Sequence, residues 1–124
     1  EVCGFVDDLR PLLAQALAFV CPMRKGAGMK NKILVAMSMG LPVVATKLAI
    51  DGIEATEGVH YLKGETPAEI AAQVKRLAGD PALVEWLGKS GRELVETNYS
   101  WDAISERLDR LIGTAICGDI ASVE

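Results

Sequence analysis

Residues 25–46 constrain the fold of this chain most, because they combine a glycine turn, a helix and an apolar strand in that order. The pattern predicts a helix over about residues 30–39, which Gly40 and Pro42 end. Residues 43–45 are Val-Val-Ala and predict a short strand that is buried on both faces. A helix next to a strand of this kind is typical of an α/β fold.

Glycines at positions 26 and 28 lie directly before this helix and permit a tight backbone turn. Such a turn lets the helix present its free N–H groups and its positive dipole end to a phosphate. Cations in a first helical turn, such as Lys30 and Lys32 beside Asn31, oppose the helix dipole, and a bound anion would remove that conflict. Further positive charge comes from Arg24 and Lys25. The pattern favours an anion site over the alternative of a structural turn with solvated lysines.

Two common nucleotide-binding loops are excluded by spacing. No Gly-Lys-Ser/Thr sequence follows Gly26 or Gly28, so the turn is not a Walker loop. The first predicted strand-to-helix turn, at Asp7-Asp8, lacks the glycine fingerprint of dinucleotide-binding domains.

The segment before the glycine turn predicts a strand, a helix and a second strand. Residues 2–6 predict a strand without a preceding turn or cap, so we expect a truncated start. Asp7 and Asp8 can cap a helix over about residues 9–16, and residues 17–21 predict a buried strand. With the helix and strand above, the order is βαβαβ, which predicts a parallel sheet with ligands at the carboxyl ends of its strands.

The later part of the chain is predicted to be mainly helical. Residues 47–58 predict a loop with a short helical turn near Ile53, and residues 59–62 predict a short strand. Gly88 and Gly91 are predicted points of close helix packing. Three helices are predicted over about residues 67–78, 81–97 and 101–112. The capping box Thr66-Pro-Ala-Glu69 begins the first of them, Ser100 caps the last, and Trp86 and Trp101 are predicted packing anchors.

Composition and isolated reactive residues narrow the function class. Half of the residues are hydrophobic and only 5% are aromatic, which suits an aliphatic α/β core, and the net charge of −4 argues against a nucleic-acid surface. Cys3 and Cys21 are predicted core thiols, and with Cys117 they form no pattern typical of disulfides or zinc, so a reducing cytoplasm is expected. His60 is predicted to be structural rather than catalytic. The acidic loop residues Asp51, Glu54 and Glu57 are predicted to be solvated.

Three runs of sequence carry a family resemblance: Val20-Cys-Pro, Gly26-Ala-Gly-Met-Lys-Asn-Lys-Ile-Leu and Ala36-Met-Ser-Met-Gly-Leu-Pro-Val-Val-Ala-Thr. In this order they resemble the C-terminal domain of retaining GT-B glycosyltransferases of family 4. The resemblance extends over essentially the whole chain through Gly4-Phe-Val-Asp-Asp-Leu, Asp80-Pro and Tyr99-Ser-Trp. It implies that residues 1–124 form the later part of a Rossmann-like, three-layer domain with a parallel sheet of about four strands.

The resemblance also implies a function. In that family the C-terminal domain binds a nucleotide-diphosphate sugar across a cleft from an N-terminal domain, and the glycosyl group is transferred with retention, usually without a metal or other cofactor. Val6 would border the base, and Arg24 and Lys32 could add charge. Carried over by position, the residues that would hold the donor diphosphate are Gly26, Gly28, Met29, Lys30 and Asn31. No catalytic or metal-ligating residue is carried over.

Two positions depart from the family pattern. Where relatives often carry two glutamates, one near the sugar and one on the ribose hydroxyls, this chain has Ala27 and Val35. A charge-assisted hydrogen bond contributes about 1.5–3 kcal/mol, so the loss of the ribose contact predicts weak donor affinity. The alternative function is a non-catalytic glycosyltransferase-like interaction module that has lost donor binding.

The expected partners follow from the same resemblance. A family domain has two further strands that would separate residues 2–6 from residues 17–21 in the order 3-2-1-4-5-6, so we expect a gap in the sheet. That gap predicts new edge pairing, a strand-swapped homodimer or derivation from a longer protein. Catalysis would require the N-terminal domain, and the chain alone should be inactive. The expected location is the cytoplasm or, through the rest of the protein, the inner face of the membrane, without a membrane span.

Overall fold

The computed structural model describes the backbone of residues 2–120 and the side chains of residues 2–115. Short helices and strands alternate through the first half, and three longer helices follow. In chain order the elements are α1 (Arg10–Ala14), β1 (Phe19–Cys21), α2 (Asn31–Ser38), β2 (Val43–Ala45), α3 (Lys47–Ile50), β3 (Leu62–Lys63), α4 (Pro67–Gly79), α5 (Pro81–Asn98) and α6 (Trp101–Ile120). The predicted α/β fold class is confirmed.

The sheet consists of parallel strands in the order β1-β2-β3. β2 lies in the centre and all of its residues are buried, as the Val-Val-Ala sequence predicted. Phe19 of β1 is opposite Val43, and Leu62 of β3 is opposite Val44. Each connection between neighbouring strands passes through a helix. Because both strand pairs are parallel, the carboxyl ends of all three strands lie at the same edge of the sheet.

The predicted strand over residues 2–6 is wrong. Val2 and Phe5 are 97% and 91% exposed, and the segment has no strand structure. A strand needs a neighbour that pairs with its backbone groups, and no strand in the described part of the chain lies beside this segment. The sheet therefore has three strands within the described residues, rather than about four.

The last strand begins later than the predicted residues 59–62, because a turn occupies most of that segment. The N–H groups of Val59 and His60 both donate to the carbonyl of Thr56, at 3.2 and 2.9 Å. Backbone groups used in this turn cannot join the sheet, so β3 begins only at Leu62.

The short helix after β2 also differs from its predicted position. A helical turn was expected near Ile53, whereas α3 spans Lys47–Ile50. Thr46, the last residue before this helix, supplies the cap, because its Oγ1 accepts a hydrogen bond from the N–H of Ala49 at 3.2 Å. The helix therefore begins directly at the end of β2.

Helices cover both faces of the sheet and give a three-layer arrangement. On one face, the buried residues of α2, α5 and the sheet include Ile33, Met37, Val43 and Leu94. On the other face, the buried residues of α4, α5 and the sheet are Val44, Leu62, Leu77 and Leu87. The predicted aliphatic core is thus divided by β2, whose successive side chains point to opposite faces.

The helices α2 and α5 approach closely at the two glycines that the sequence singled out. A Cβ atom at Gly88 would lie 2.2 Å from the carbonyl oxygen of Gly40, and one at Gly91 would lie 3.3 Å from Cγ of Met37. Any side chain at position 88 would force the helices apart. The predicted close packing at these positions is confirmed.

Side-chain caps begin the long helices as predicted. Thr66 Oγ1 accepts from the N–H of Glu69 at 3.2 Å, and Ser100 Oγ accepts from the N–H of Ala103 at 3.2 Å. Backbone N–H groups that donate to the Glu69 carboxylate lower the pKa of that residue. The helices α4 and α5 each end one residue beyond the predicted bounds, and α6 continues past its predicted end.

Three predictions about buried side chains are wrong. Trp86 and Trp101 are 55% and 85% exposed, so neither is a buried packing anchor. Cys3 is exposed because the segment that carries it forms no strand, whereas Cys21 is buried at the end of β1 as predicted. Cys117 lies outside the residues whose side chains the structure describes.

Candidate functional site

The glycine turn lies at the carboxyl edge of the sheet. It belongs to residues 22–30, which connect the end of β1 to the beginning of α2. The end of β2 lies beside it, because the N–H of Thr46 donates to the carbonyl of Cys21 at 3.3 Å. The carboxyl edge of a parallel sheet is where open α/β folds bind ligands, as the sequence analysis expected for this turn.

Both glycines of the turn adopt backbone conformations that other residues rarely adopt. Gly26 has φ of 130° and Gly28 has φ of 78°. A Cβ atom at Gly26 would also lie 3.0 Å from Cε of Met23. A Cβ atom at Gly28 would have no neighbouring atom within 4 Å. The tight turn predicted from the sequence is therefore present, and Gly28 leaves open space on its outer side.

A buried threonine holds the start of this loop. Thr46 Oγ1 donates to the carbonyl of Met23 at 2.7 Å and accepts from the N–H of Ala49 at 3.2 Å. Its side chain is only 3% exposed. No sequence pattern predicts this contact, because it joins residues that lie far apart in the chain.

Lys30 does not extend into solvent. The residue is 9% exposed, and its Nζ donates to the carbonyl of Ala27 at 3.0 Å and to the carbonyl of Gly28. Its ammonium group therefore lies against the carbonyl side of the glycine loop. The other basic residues near the turn are exposed, namely Arg24, Lys25 and Lys32.

The amino end of α2 has no side-chain cap. Lys30 is the N-cap residue and makes no capping hydrogen bond, and the first turn contains no acidic residue. The N–H of Ile33 donates to the carbonyl of Lys30 at 2.8 Å, but the N–H groups of Asn31 and Lys32 find no acceptor within the described residues. An anion could accept hydrogen bonds from these N–H groups, and its charge would complement the helix dipole.

The two positions of the absent glutamates are accessible. Ala27 is exposed in the glycine loop, and Val35 is 42% exposed on α2. Asn31 and Val35 are four residues apart and therefore lie on the same face of the helix. Met29 is 45% exposed, and its backbone and Cβ lie near Gly52 in the loop after α3.

The remaining candidate residues are not brought to the glycine loop by any hydrogen bond within the described residues. Val6 is half-buried in the irregular segment before α1. Glu54 contacts residues at and beyond the end of α5, since its N–H donates to Tyr99 Oη at 2.7 Å and its carboxylate lies 3.5 Å from Nη1 of Arg107. Glu57 and Asp51 are exposed, as predicted for a solvated loop.

His60 has a structural contact. Its Nδ1 accepts a hydrogen bond from the N–H of Thr56 at 2.9 Å, and burial lowers the pKa of its imidazole. No group of three or more His, Cys, Asp or Glu side chains that could hold a metal ion occurs among the residues that the structure describes. Likewise, within residues 2–120 there is no helix of sufficient length and apolarity to cross a membrane.

Residues 1–80 match the family described as Glycosyl transferases group 1. Over 112 residues, the chain is 33% identical to alpha-maltose-1-phosphate synthase from Mycobacterium tuberculosis. This alignment covers 82% of this chain and 28% of that protein. Over 99 residues, it is 33% identical to the capsular polysaccharide biosynthesis glycosyltransferase CapM from Staphylococcus aureus. This alignment covers 77% of this chain and 26% of that protein. The chain thus spans about a quarter of the length of these relatives.

Proposed function

The chain belongs to the group 1 glycosyl transferases, and on this premise we propose that it forms the donor-binding part of a glycosyltransferase that acts with retention of configuration. The donor is a nucleotide-diphosphate sugar. This donor is a substrate, and the proposed enzyme uses no resident metal and no cofactor. The N-terminal half of the enzyme supplies the acceptor site, so the chain alone does not turn over the donor.

The observation that carries the proposal is the open amino end of α2 behind a tight glycine turn. Free N–H groups, the helix dipole and exposed basic side chains are all available at one end of this helix. A diphosphate offers several negatively charged oxygens, which such N–H groups bind well. We assign it to the backbone of Gly26, Gly28, Met29 and Asn31, with charge from Lys32 and Arg24.

The names of the relatives support the reaction class. One is named as the synthase of alpha-maltose-1-phosphate, and the other as a glycosyltransferase of capsular polysaccharide biosynthesis. We propose a role in glycan biosynthesis for this protein too, in the cytoplasm or at the inner face of the membrane. The configuration of the glycosidic bond made by the full-length protein tests whether the transfer retains configuration.

The diphosphate assignment is tested with a pair of matched glycine variants. Gly28 and Gly58 both have φ of 78°, and neither has a neighbour within 4 Å of an added Cβ. Alanine at either position costs about 1–2 kcal/mol in the left-handed conformation, so the two variants lose similar stability. Only Gly28→Ala changes the proposed diphosphate loop.

Calorimetric titration with UDP, GDP and ADP measures the result. We expect the wild-type protein and Gly58→Ala to bind at least one of these nucleotides equally well. Gly28→Ala should bind it about tenfold more weakly, because a loop shift worth about 1.4 kcal/mol changes affinity by that factor. Failure of the wild type to bind any of the three would overturn the proposal in favour of an interaction module without donor binding. Equal losses in both variants would remove the loop from the assignment.

We also propose a partner for the outer edge of β1. Within the described residues no strand pairs with this edge, and Val20 is 39% exposed there. An apolar cleft of about 360 Å³ lies between the carboxyl ends of the strands and α4, and Val20 lines it with Thr46 and Ile70 among others. We propose that a further strand covers this edge, either from the rest of the same protein or from a strand-swapped second copy.

Sedimentation equilibrium distinguishes these two sources. A second copy predicts association that depends on concentration and that Val20→Lys weakens, because a charged side chain blocks edge pairing. Val59→Lys, at a similarly exposed valine outside the strands, serves as the control. A monomer at all concentrations with an unchanged sheet would exclude the swapped dimer.

A further inference from the structure

We infer that Lys30 is a positioning residue, whose buried ammonium group holds the glycine loop so that the N–H groups of Gly28 and Met29 face the ligand. This inference rests on the proposed diphosphate function of the loop. It gives Lys30 a role different from that of Lys32, although both are cations at the beginning of α2.

The contacts of Lys30 are those of an internal support. Only 9% of the residue is exposed, and Nζ donates to the carbonyls of Ala27 and Gly28. A buried cation requires such partners, because an unpaired charge away from water is costly. Two carbonyl dipoles thus stabilise the ammonium group and are themselves turned toward it. The conflict between Lys30 and the helix dipole is also reduced by these contacts.

Peptide geometry converts the direction of these carbonyls into a direction for the next N–H groups. A trans peptide is planar, and its C=O and N–H point to opposite sides. No cis peptide occurs in the described chain. Because the carbonyls of Ala27 and Gly28 point toward Nζ, the N–H groups of Gly28 and Met29 point away from it. Neither N–H donates to an acceptor within the described residues, so both remain available to an anion.

The exposed Lys32 provides the contrast. Its side chain is in solvent, where it can contribute charge to an anion through a field that salt screens. Two protons of the Lys30 ammonium are already committed to loop carbonyls. Removal of Lys32 should therefore weaken anion binding by loss of charge, whereas removal of Lys30 should weaken it by loss of loop geometry.

Backbone NMR with inorganic pyrophosphate as the probe separates the two roles. In the wild type, the amide protons of Gly28 and Met29 should shift downfield and saturate together. Lys32→Met should keep these two shifts, bind a few-fold more weakly and depend less on salt. Lys30→Met should bind about tenfold or more weakly and lose both shifts, as expected when two hydrogen bonds to a charged ligand are lost. Melting temperatures report whether each variant is folded.

Lys30→Gln provides a rescue variant that also remains informative if Lys30→Met does not fold. A glutamine amide can donate two N–H groups to the loop carbonyls but carries no charge. A positioning role predicts that Lys30→Gln keeps the Gly28 and Met29 shifts and loses only a few-fold in affinity. If Lys30→Gln loses the shifts, or if Lys30→Met keeps them, the inference is overturned. Absence of any wild-type response to pyrophosphate would instead overturn the diphosphate function, and the inference with it.

Discussion

The hydroxyl of Thr46 donates to the carbonyl of Met23 at 2.7 Å and so joins the end of the central strand to the loop that follows β1. The same oxygen caps α3 by accepting from the N–H of Ala49. One buried side chain thus fixes the start of the glycine loop and the start of the next helix. We therefore expect this link to help hold the loop at the carboxyl edge of the sheet.

Thr46→Val should destabilise the protein by about 1–3 kcal/mol, because the carbonyl of Met23 loses its partner without gaining water. The N–H of Ala49 then keeps only its hydrogen bond to the carbonyl of Thr46. Valine keeps the shape of threonine, so the loss reports the hydroxyl group. Urea unfolding measures the change in stability, and titration with pyrophosphate measures the effect on the loop. Thr97→Val, at an exposed threonine whose hydroxyl makes no hydrogen bond within the described residues, should change neither quantity. Equal stability of both variants would contradict the linking role of Thr46.

The contact between α2 and α5 predicts a second effect on stability. Gly88→Ala places a Cβ atom 2.2 Å from the carbonyl oxygen of Gly40, so the helices must separate. We expect a loss of about 1–3 kcal/mol, as for other overpacked cores. Gly113→Ala is the matched control, because Gly113 lies inside α6 with nothing within 4 Å. That variant should gain about 0.5–1 kcal/mol from helix propensity. Thermal unfolding that moves both variants in the same direction would contradict the close packing.

The sequence predicted those parts of the fold that depend on interactions between residues close together in the chain. Gly88 and Gly91 could be identified because glycine weakens a helix interior. Two glycines inside a predicted helix therefore indicate that close packing requires them. Val43 to Ala45 could be identified because an uninterrupted apolar run fits the centre of a parallel sheet. The caps at Thr66 and Ser100 were predictable because a capping residue acts within the first turn of its own helix.

The remaining features depend on contacts that a single sequence does not contain. Residues 2–6 have the composition of a strand, but a strand forms only beside a partner, and the described residues provide none there. The burial of Lys30 depends on the direction of two loop carbonyls, which its residue type does not reveal. The link from Thr46 to Met23 joins two separate elements. Sequence thus located the candidate loop but not the side chains that support it.

His60 predicts how stability depends on pH. Its Nδ1 accepts the N–H of Thr56, and burial lowers the pKa of the folded imidazole below the unfolded value of about 6.5. Between these two pKa values the unfolded chain binds more protons, so stability should rise with pH in that window and fall as pH decreases through it. The stabilising contact is fully present above the unfolded pKa.

Urea unfolding at a series of pH values between about 5 and 8 tests this dependence. The sequence contains only one histidine, so His60→Gln should remove most of the change in this range. A glutamine oxygen can still accept the N–H of Thr56, which limits the loss of stability at high pH. An unchanged pH profile in His60→Gln would assign the dependence to other groups.

Val35 predicts a gain of function on the same helix as the glycine loop. It is 42% exposed and occupies the position where the family resemblance places a ribose-binding glutamate. Val35→Glu should tighten binding of the preferred nucleotide-diphosphate sugar by about tenfold or more, because one charge-assisted hydrogen bond contributes about 1.5–3 kcal/mol. Val59→Glu makes the same substitution at a valine with 36% exposure away from the loop, and it should leave affinity unchanged. Calorimetry of the wild type and both variants provides the comparison. If Val35→Glu brings no gain, the assignment of position 35 to the ribose is wrong, whereas equal gains in both variants would show an effect of net charge alone.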